Sequence, residues 1–323
     1  MRPHAGFRPS GTRITPTSNI KAKGMCVIYR PSTMGIGQTL MHGAYDGMWG
    51  SQADWAGWTK PCIDLVRGLG GNAARFTGPG GILAAGSDNG VAPRQALDNI
   101  RRMLDYTASV NFLVYWQTMI KTGDGTQAQN VNAASVMAQT LDDYPNVIGI
   151  DLWNEPDAAG SGTQAQVGTF AAAVFPAVRA VTRIPLTISL SGAPGTWATH
   201  PYASTLAPYV DFWDFHNYAL TNAASTVYSG LASWRASPYY KPFICGESGA
   251  PLISGSGFTG GSVQQAAVYS NLALLSAEPD CRGVFAFCLN DYDGSQWGFY
   301  DTSLVGPRSQ VGNPFSASFA RQD

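Results

Sequence analysis

The sequence predicts a (β/α)8 barrel, a ring of eight parallel strands enclosed by helices, and three observations carry that expectation. Apolar runs that end in polar or small residues recur at near-regular intervals, helical segments separate them, and the runs are apolar on both faces, as strands covered by helices must be. Eight such units in about 280 residues suit a barrel whose usual length is roughly 250 residues. An open doubly wound sheet would need a glycine-rich phosphate loop after its first strand, and "GAYDGMWGS" at 43–51 is not a GxGxxG opening an amphipathic helix.

Taken in order, the first strand is expected in "QTLMHGAYDG" at 38–47, which makes residues 1–37 an appended N-terminal arm and 38–323 the barrel domain. A helix over 54–69 leads to a second strand in "GNAARFTG" at 71–78. The next helix, 93–109, places Ala96, Leu97, Ile100, Met103, Leu104 and Thr107 at i, i+3, i+4, i+7 spacing, and Pro93 suits a first helical turn. Strands three and four follow in "VNFLVYWQT" at 110–118 and "VIGIDLWNEP" at 147–156, separated by a helix over 127–144. A helix over 163–181, a strand in "PLTISLSG" at 185–192 and a short helix over 202–208 come next. The last strands are "VDFWDFHNY" at 210–218, "PFICGESG" at 242–249 and "RGVFAFCLND" at 282–291, with helices over 224–236 and 262–277 between them.

Composition narrows the function. The chain has 323 residues, 45% hydrophobic and 13% charged, with a net charge of -1, which disfavours nucleic acid as a ligand. The N-terminal arm is basic, with Arg2, Arg8, Arg13, Lys21, Lys23 and Arg30 ahead of the first acid, Asp46, and reads either as a solvated extension or as an attachment to a larger assembly. No run reaches the roughly 18 apolar residues of a membrane helix, and no apolar stretch near the N-terminus is long enough for a signal-peptide core. The five cysteines lack CxxC spacing and read as buried thiols, and the four histidines form no metal-ligand cluster, so no metal or organic cofactor is expected.

Glutamate is rare: Glu155, Glu247 and Glu278, against eighteen aspartates. Glu278 ends a helix in "SAEPDC" and belongs to the rim opposite any site. Glu155 and Glu247 instead end strands, and strand ends converge on the open face that holds a barrel's active site. Arg75, Gln117, Asn154, His216 and Tyr218 end strands in the same way. Two carboxyl groups facing one another across a small gap are what glycoside hydrolysis requires.

These motifs, "LWNEP" at 152–156, "HNY" at 216–218, "CGESG" at 245–249 and Arg75 in "AARFTG", resemble the cellulase-type retaining glycoside hydrolases of clan A, the family 5-like (β/α)8 barrels. The resemblance implies that Glu155 is the general acid/base and Glu247 the nucleophile, in a retaining endo-β-glycosidase that acts on a polysaccharide without a cofactor. It gives Asn154 a hydrogen bond to the sugar 2-hydroxyl, has Arg75 and Tyr218 orient Glu247, puts His216 beside the acid/base, and matches Asp151 to an acidic residue of the barrel core.

The sequence departs from the family at two points. Phe287 stands where a platform tryptophan is usual after the last strand, leaving Trp297 as a substitute, and Trp116 and Gln117 stand where a histidine is common after strand three. Trp49, Trp116, Trp153, Trp197 and Trp297 all fall at strand ends or in loops, where flat rings can stack on sugars. The substrate class suggests action outside a cell or on a virion, with a non-catalytic sugar-binding or structural barrel as the alternative.

Overall fold

The computed structural model describes residues 21–27, 49, 55–80, 83, 93–118, 120, 125–158, 162–192, 194–218, 224–252, 261–289 and 298. Its strands are β1 (Ala22–Val27), β2 (Ala73–Thr77), β3 (Leu113–Gln117), β4 (Val147–Asp151), β5 (two ladders, Leu186–Thr187 and Ser189–Ser191), β6 (Trp213–His216), β7 (Phe243–Ser248) and β8 (Cys281–Ala286). All pair in parallel, and β1 lies between β2 and β8. The two ladders of β5 are one strand interrupted at Ile188. The first pairs with β4 and the second with β6, so the ring closes through it as an eight-stranded barrel.

The helices are α1 (Lys60–Gly68), α2 (Pro93–Ser109), α3 (Gln127–Asp142), α4 (Gln164–Arg179), the short α5 (Pro194–Trp197) and α6 (Ala203–Leu206), α7 (Ala224–Arg235) and α8 (Ser262–Ala277). A π-helical turn, Trp55–Thr59, precedes α1. In α2 the buried residues are Ala96, Ile100, Met103, Leu104 and Thr107, the stripe its sequence spacing requires. Both α3 and α4 start with a capping box, in which Thr126 pairs with Gln129 and Thr163 with Gln166. Each box satisfies two helix-end N–H groups that would otherwise lack partners, and each N-cap contributes about 1 kcal/mol. Among the described residues no helix is long and apolar enough to cross a membrane.

One expectation fails. The first strand is Ala22–Val27, so the barrel begins inside the stretch assigned to an appended arm. The expected strand at 38–47 and residues 1–20 lie outside the described residues.

The core has two layers, set by strand alternation. Outward side chains such as Phe76, Trp116, Ile150, Leu190, Phe215 and Val284 pack under the helices. Inward, Ala22, Ala73, Leu113, Ile148, Phe212, Ile244 and Phe285 fill the barrel. A buried polar set comprising Arg75, Asp151, Asp214, His216 and Glu247 also lies inside, toward the strands' C-terminal ends. At the opposite rim Arg235 pairs with Glu278 and Asp280 at 2.6 Å each, which gives Glu278 a structural place far from that set.

Candidate active site

The site is assembled around Arg75, a guanidinium only 2% exposed in the middle of β2. Its Nη1 donates to Glu247 Oε1 at 2.5 Å, and its Nη2 to Asp151 Oδ2 at 3.1 Å and Asn154 Oδ1 at 2.8 Å. One planar fork thus ties β2 to β4, β7 and the loop after β4, a task for which arginine geometry is suited. Burial opposes its charge, but Glu247, Asp214 and Asp151 together raise its affinity for the proton well above the ordinary value.

Glu247 is held from its other side by Tyr218, whose hydroxyl donates to Oε2 at 2.6 Å. With both oxygens bound, its carboxylate has a fixed orientation. Burial, then Glu247 and Glu155, push the Tyr218 phenol well above its usual range, so it stays a donor. Its ring meets Phe287 edge-on, with centroids 5.7 Å apart.

Glu155 leaves β4 through a sharp turn and has a backbone φ of +43°, a left-handed conformation uncommon for a residue other than glycine. Its Oε1 lies 2.7 Å from His216 Nδ1, and the same nitrogen is 3.6 Å from Glu247 Oε2. On the far edge of the ring, Nε2 faces Asp214 Oδ2 at 3.6 Å. Burial alone would neutralise the imidazole, but Glu247, Asp214 and Glu155 outweigh it and raise its pKa well above the usual histidine value. One oxygen of Glu155, His216 Nδ1 and one oxygen of Glu247 all lie within 4.8 Å of one another.

Beneath this pair, Asp151 accepts from Ser189 N at 3.0 Å, Ser189 Oγ at 2.8 Å and Trp153 N at 3.3 Å. Burial dominates and pushes its carboxyl up to about 6, against the pull of Arg75. Asp214 goes the other way: His216, Arg75 and Tyr115 overcome its burial and hold it below the usual range. Tyr115 OH donates to Asp214 Oδ2 at 2.5 Å and Gly246 N to Oδ1 at 2.8 Å.

Of the residues expected from sequence, the structure brings Glu155, Glu247, Arg75, Asn154, His216 and Tyr218 together, with Asp151 below them. The strand ends at Asp151, and Trp153 turns away to pack against Phe170. Gln117 is buried and accepts from Thr77 Oγ1 at 2.9 Å.

Trp116 does not line the site. It is fully buried behind β3, packed against Trp49 with ring centroids 5.4 Å apart. Its neighbours Tyr115 and Gln117 face inward, so alternation sends Trp116 out. Trp49, Trp153 and Trp197 are likewise no more than 1% exposed, which removes them as sugar platforms. Trp297 lies outside the described residues. Sequence reasoning missed Asp214 and Tyr115, although each stands two positions before an inward polar residue, His216 and Gln117, on the same strand face.

The donor set Glu155, His216 and Glu247 has the composition of a metal site. Its chemistry does not fit a resident cation well, because both oxygens of Glu247 are already engaged, one by a guanidinium and the other by a phenol.

In its fold the chain is similar to solved GH5_18 and β-glucuronidase structures. GH5_18 from Bifidobacterium longum subsp. longum, in complex with Manb1-4GlcNAc, aligns with a TM-score of 0.68 at 16% identity, over 94% of this chain and 78% of that one. GH5_18 from Streptomyces cattleya, in complex with GlcNAc, gives 0.67 at 14% identity, over 93% and 80%. A β-glucuronidase from Ruminococcus gnavus in complex with D-glucuronic acid gives 0.60 at 14% identity, and this chain spans about half of it, 49%. No protein-family model and no curated protein matches the sequence.

Proposed function

We propose that the chain is a retaining glycoside hydrolase acting on a β-linked polysaccharide, with Glu155 as acid/base and Glu247 as nucleophile. The observation that carries this reading is the placement of the two carboxylates, whose nearest oxygens lie within 4.8 Å. Retaining enzymes hold their carboxyl groups about 5–5.5 Å apart, whereas inverting ones leave about 6.5–9.5 Å for a water.

The contacts of each glutamate suit its part. Glu247, oriented by Arg75 and Tyr218, attacks the anomeric carbon and forms an ester with it. Glu155 gives its proton to the departing oxygen, and the 2.7 Å contact with His216 keeps an exchangeable proton beside that carboxyl. In the second step Glu155 takes a proton from water, which attacks the anomeric carbon, breaks its bond to the Glu247 oxygen and releases Glu247 as the carboxylate. Asn154 uses its carbonyl on Arg75, which leaves the amide nitrogen to meet a sugar hydroxyl. None of these steps calls on a cofactor.

The test is a screen of the purified chain on β-linked polysaccharides and oligosaccharides, including β-mannosides, N-acetylglucosaminides and glucuronides, with product anomers followed by NMR. The expected first product has the β configuration of the substrate, and an α product excludes the mechanism. Sugar binding without cleavage across the panel favours the non-catalytic barrel.

A further inference from the structure

Two residues beyond Glu155 lies a further carboxylate, outside the barrel's polar set, that the hydrolytic steps do not use. Asp157 is 6% exposed and carries four contacts. Ser191 N donates to Oδ1 at 3.1 Å and to Oδ2 at 3.0 Å, Ser191 Oγ donates to Oδ2 at 2.6 Å, and His200 Nε2 lies 3.0 Å from Oδ2. His200 Nδ1 accepts from Tyr202 N at 3.3 Å, so the ring proton sits on Nε2 and is donated to Asp157. Tyr202 OH in turn donates to Gly162 O at 2.9 Å, just ahead of α4. The loop after β4 is thereby stitched to the end of β5 and the loop that follows it.

Glu155 sits on the turn that this stitching closes. Its left-handed backbone is an arrangement a side-chain-bearing residue keeps only where the surroundings impose it. On the near side the turn is fixed by Glu155 N donating to Ser189 Oγ at 3.2 Å and by Asn154 on Arg75. On the far side Ala158 N donates to Glu155 O at 3.0 Å, and the side chain that reaches the barrel wall there, at Ser191, is that of Asp157.

We propose that Asp157, clamped by Ser191 and His200, is a positioning residue for the acid/base: it fixes the far side of the Glu155 turn so that the carboxyl stays on His216 and faces Glu247. This rests on the hydrolase reading. Burial opposes ionisation of Asp157, but the bonds from His200 and Ser191 outweigh it and keep the clamp in its charged, strongly accepting form.

The test separates proton delivery from nucleophilic attack. Two aryl glycosides of the sugar that the wild type cleaves are compared, one with a dinitrophenolate leaving group that departs without protonation and one with a phenolate that needs it. In Asp157→Ala, kcat/KM should fall about 10–100-fold on the phenyl glycoside, the scale of a misplaced catalytic group, and far less on the dinitrophenyl one. Azide should raise kcat on the dinitrophenyl glycoside, because it attacks the ester without needing a base. His200→Ala should show the same split, and His200→Gln, which keeps a donor, should recover most of the loss; these two carry the test if Asp157→Ala does not fold. Equal losses on both glycosides, or no loss on either, overturn the proposal while leaving the hydrolase reading intact. A folded wild type that cleaves neither glycoside of any sugar overturns both.

Discussion

Arg75 is the residue on which the site's geometry depends most. A lysine there would bring one compact ammonium to a place where a planar fork now meets oxygens of Glu247, Asp151 and Asn154. At least one buried carboxylate would lose its partner, and breaking a buried pair costs about 3–5 kcal/mol. Arg75→Lys should therefore lower both the urea midpoint and kcat. Glu247→Gln removes a charge but keeps the shape and still accepts from Arg75, so it should abolish hydrolysis while leaving the unfolding free energy within about 1 kcal/mol of wild type, the scale of one net hydrogen bond. If Glu247→Gln retains hydrolysis, the nucleophile is misassigned. If Arg75→Lys is as stable as wild type, the buried network does not hold the barrel as its contacts imply.

At the scale of the element, β7 shows how a strand delivers a nucleophile. Its pairing with β6 and β8 shifts register around Cys245–Ser248, and Gly246 and Glu247 both address the barrel interior. Regular alternation would have put one of them outside. Gly246 is required because Asp214 presses on it: a Cβ there would lie 2.3 Å from Asp214 Oδ1. Asp214 cannot retreat, being held by Tyr115 and by Gly246 N itself. Gly246→Ala should lower stability by about 1–3 kcal/mol, the cost of overpacking, and reduce activity by moving Glu247. Gly68→Ala, in an exposed position at the end of α1 with nothing within 4 Å of the new Cβ, should be neutral or mildly stabilising. Paired thermal melts decide the matter, and equal stability of the two variants would contradict it. Seven of the eight strands were legible in the sequence because each is an apolar run with a polar end. β1 was not: it reads Ala-Lys-Gly-Met-Cys-Val, and its small residues serve close packing, since a Cβ on Gly24 would lie 1.9 Å from Ala73 O. The two glutamates were legible from their rarity and strand-end positions. The buried tryptophans were misplaced because a ring at a strand's end points in or out according to the parity of its neighbours, and the loops beyond the strands do not follow that parity.

Taken as a whole, the barrel interior holds, among the described residues, four carboxylates, Asp151, Asp214, Glu155 and Glu247, against the cation Arg75 and the titratable His216. That imbalance makes folding depend on pH in a direction that can be worked out group by group. Asp151 has its carboxyl pushed from 3.8 up to about 6 by burial, so between those values the folded chain holds a proton that the unfolded chain has lost. Stability then falls as pH rises from about 4 to about 6, by an amount on the order of 3 kcal/mol at 1.36 kcal/mol per pH unit. His216 is raised well above 6.5, so its contribution is complete below 6.5 and is lost as pH climbs through the folded value. Asp214 and Asp157 are lowered, so theirs is present above 3.8 and is lost on further acidification. The three effects together place the maximum of this site's contribution near pH 4–5, on the acid side of neutrality. Urea unfolding of the wild type from pH 4 to 8 should show stability falling with pH, and Asp151→Asn, which cannot ionise, should flatten the part between 4 and 6. A wild-type curve that rises over that interval, or an Asp151→Asn curve that runs parallel to it, would mean that Asp151 is ionised throughout and that Arg75 outweighs its burial.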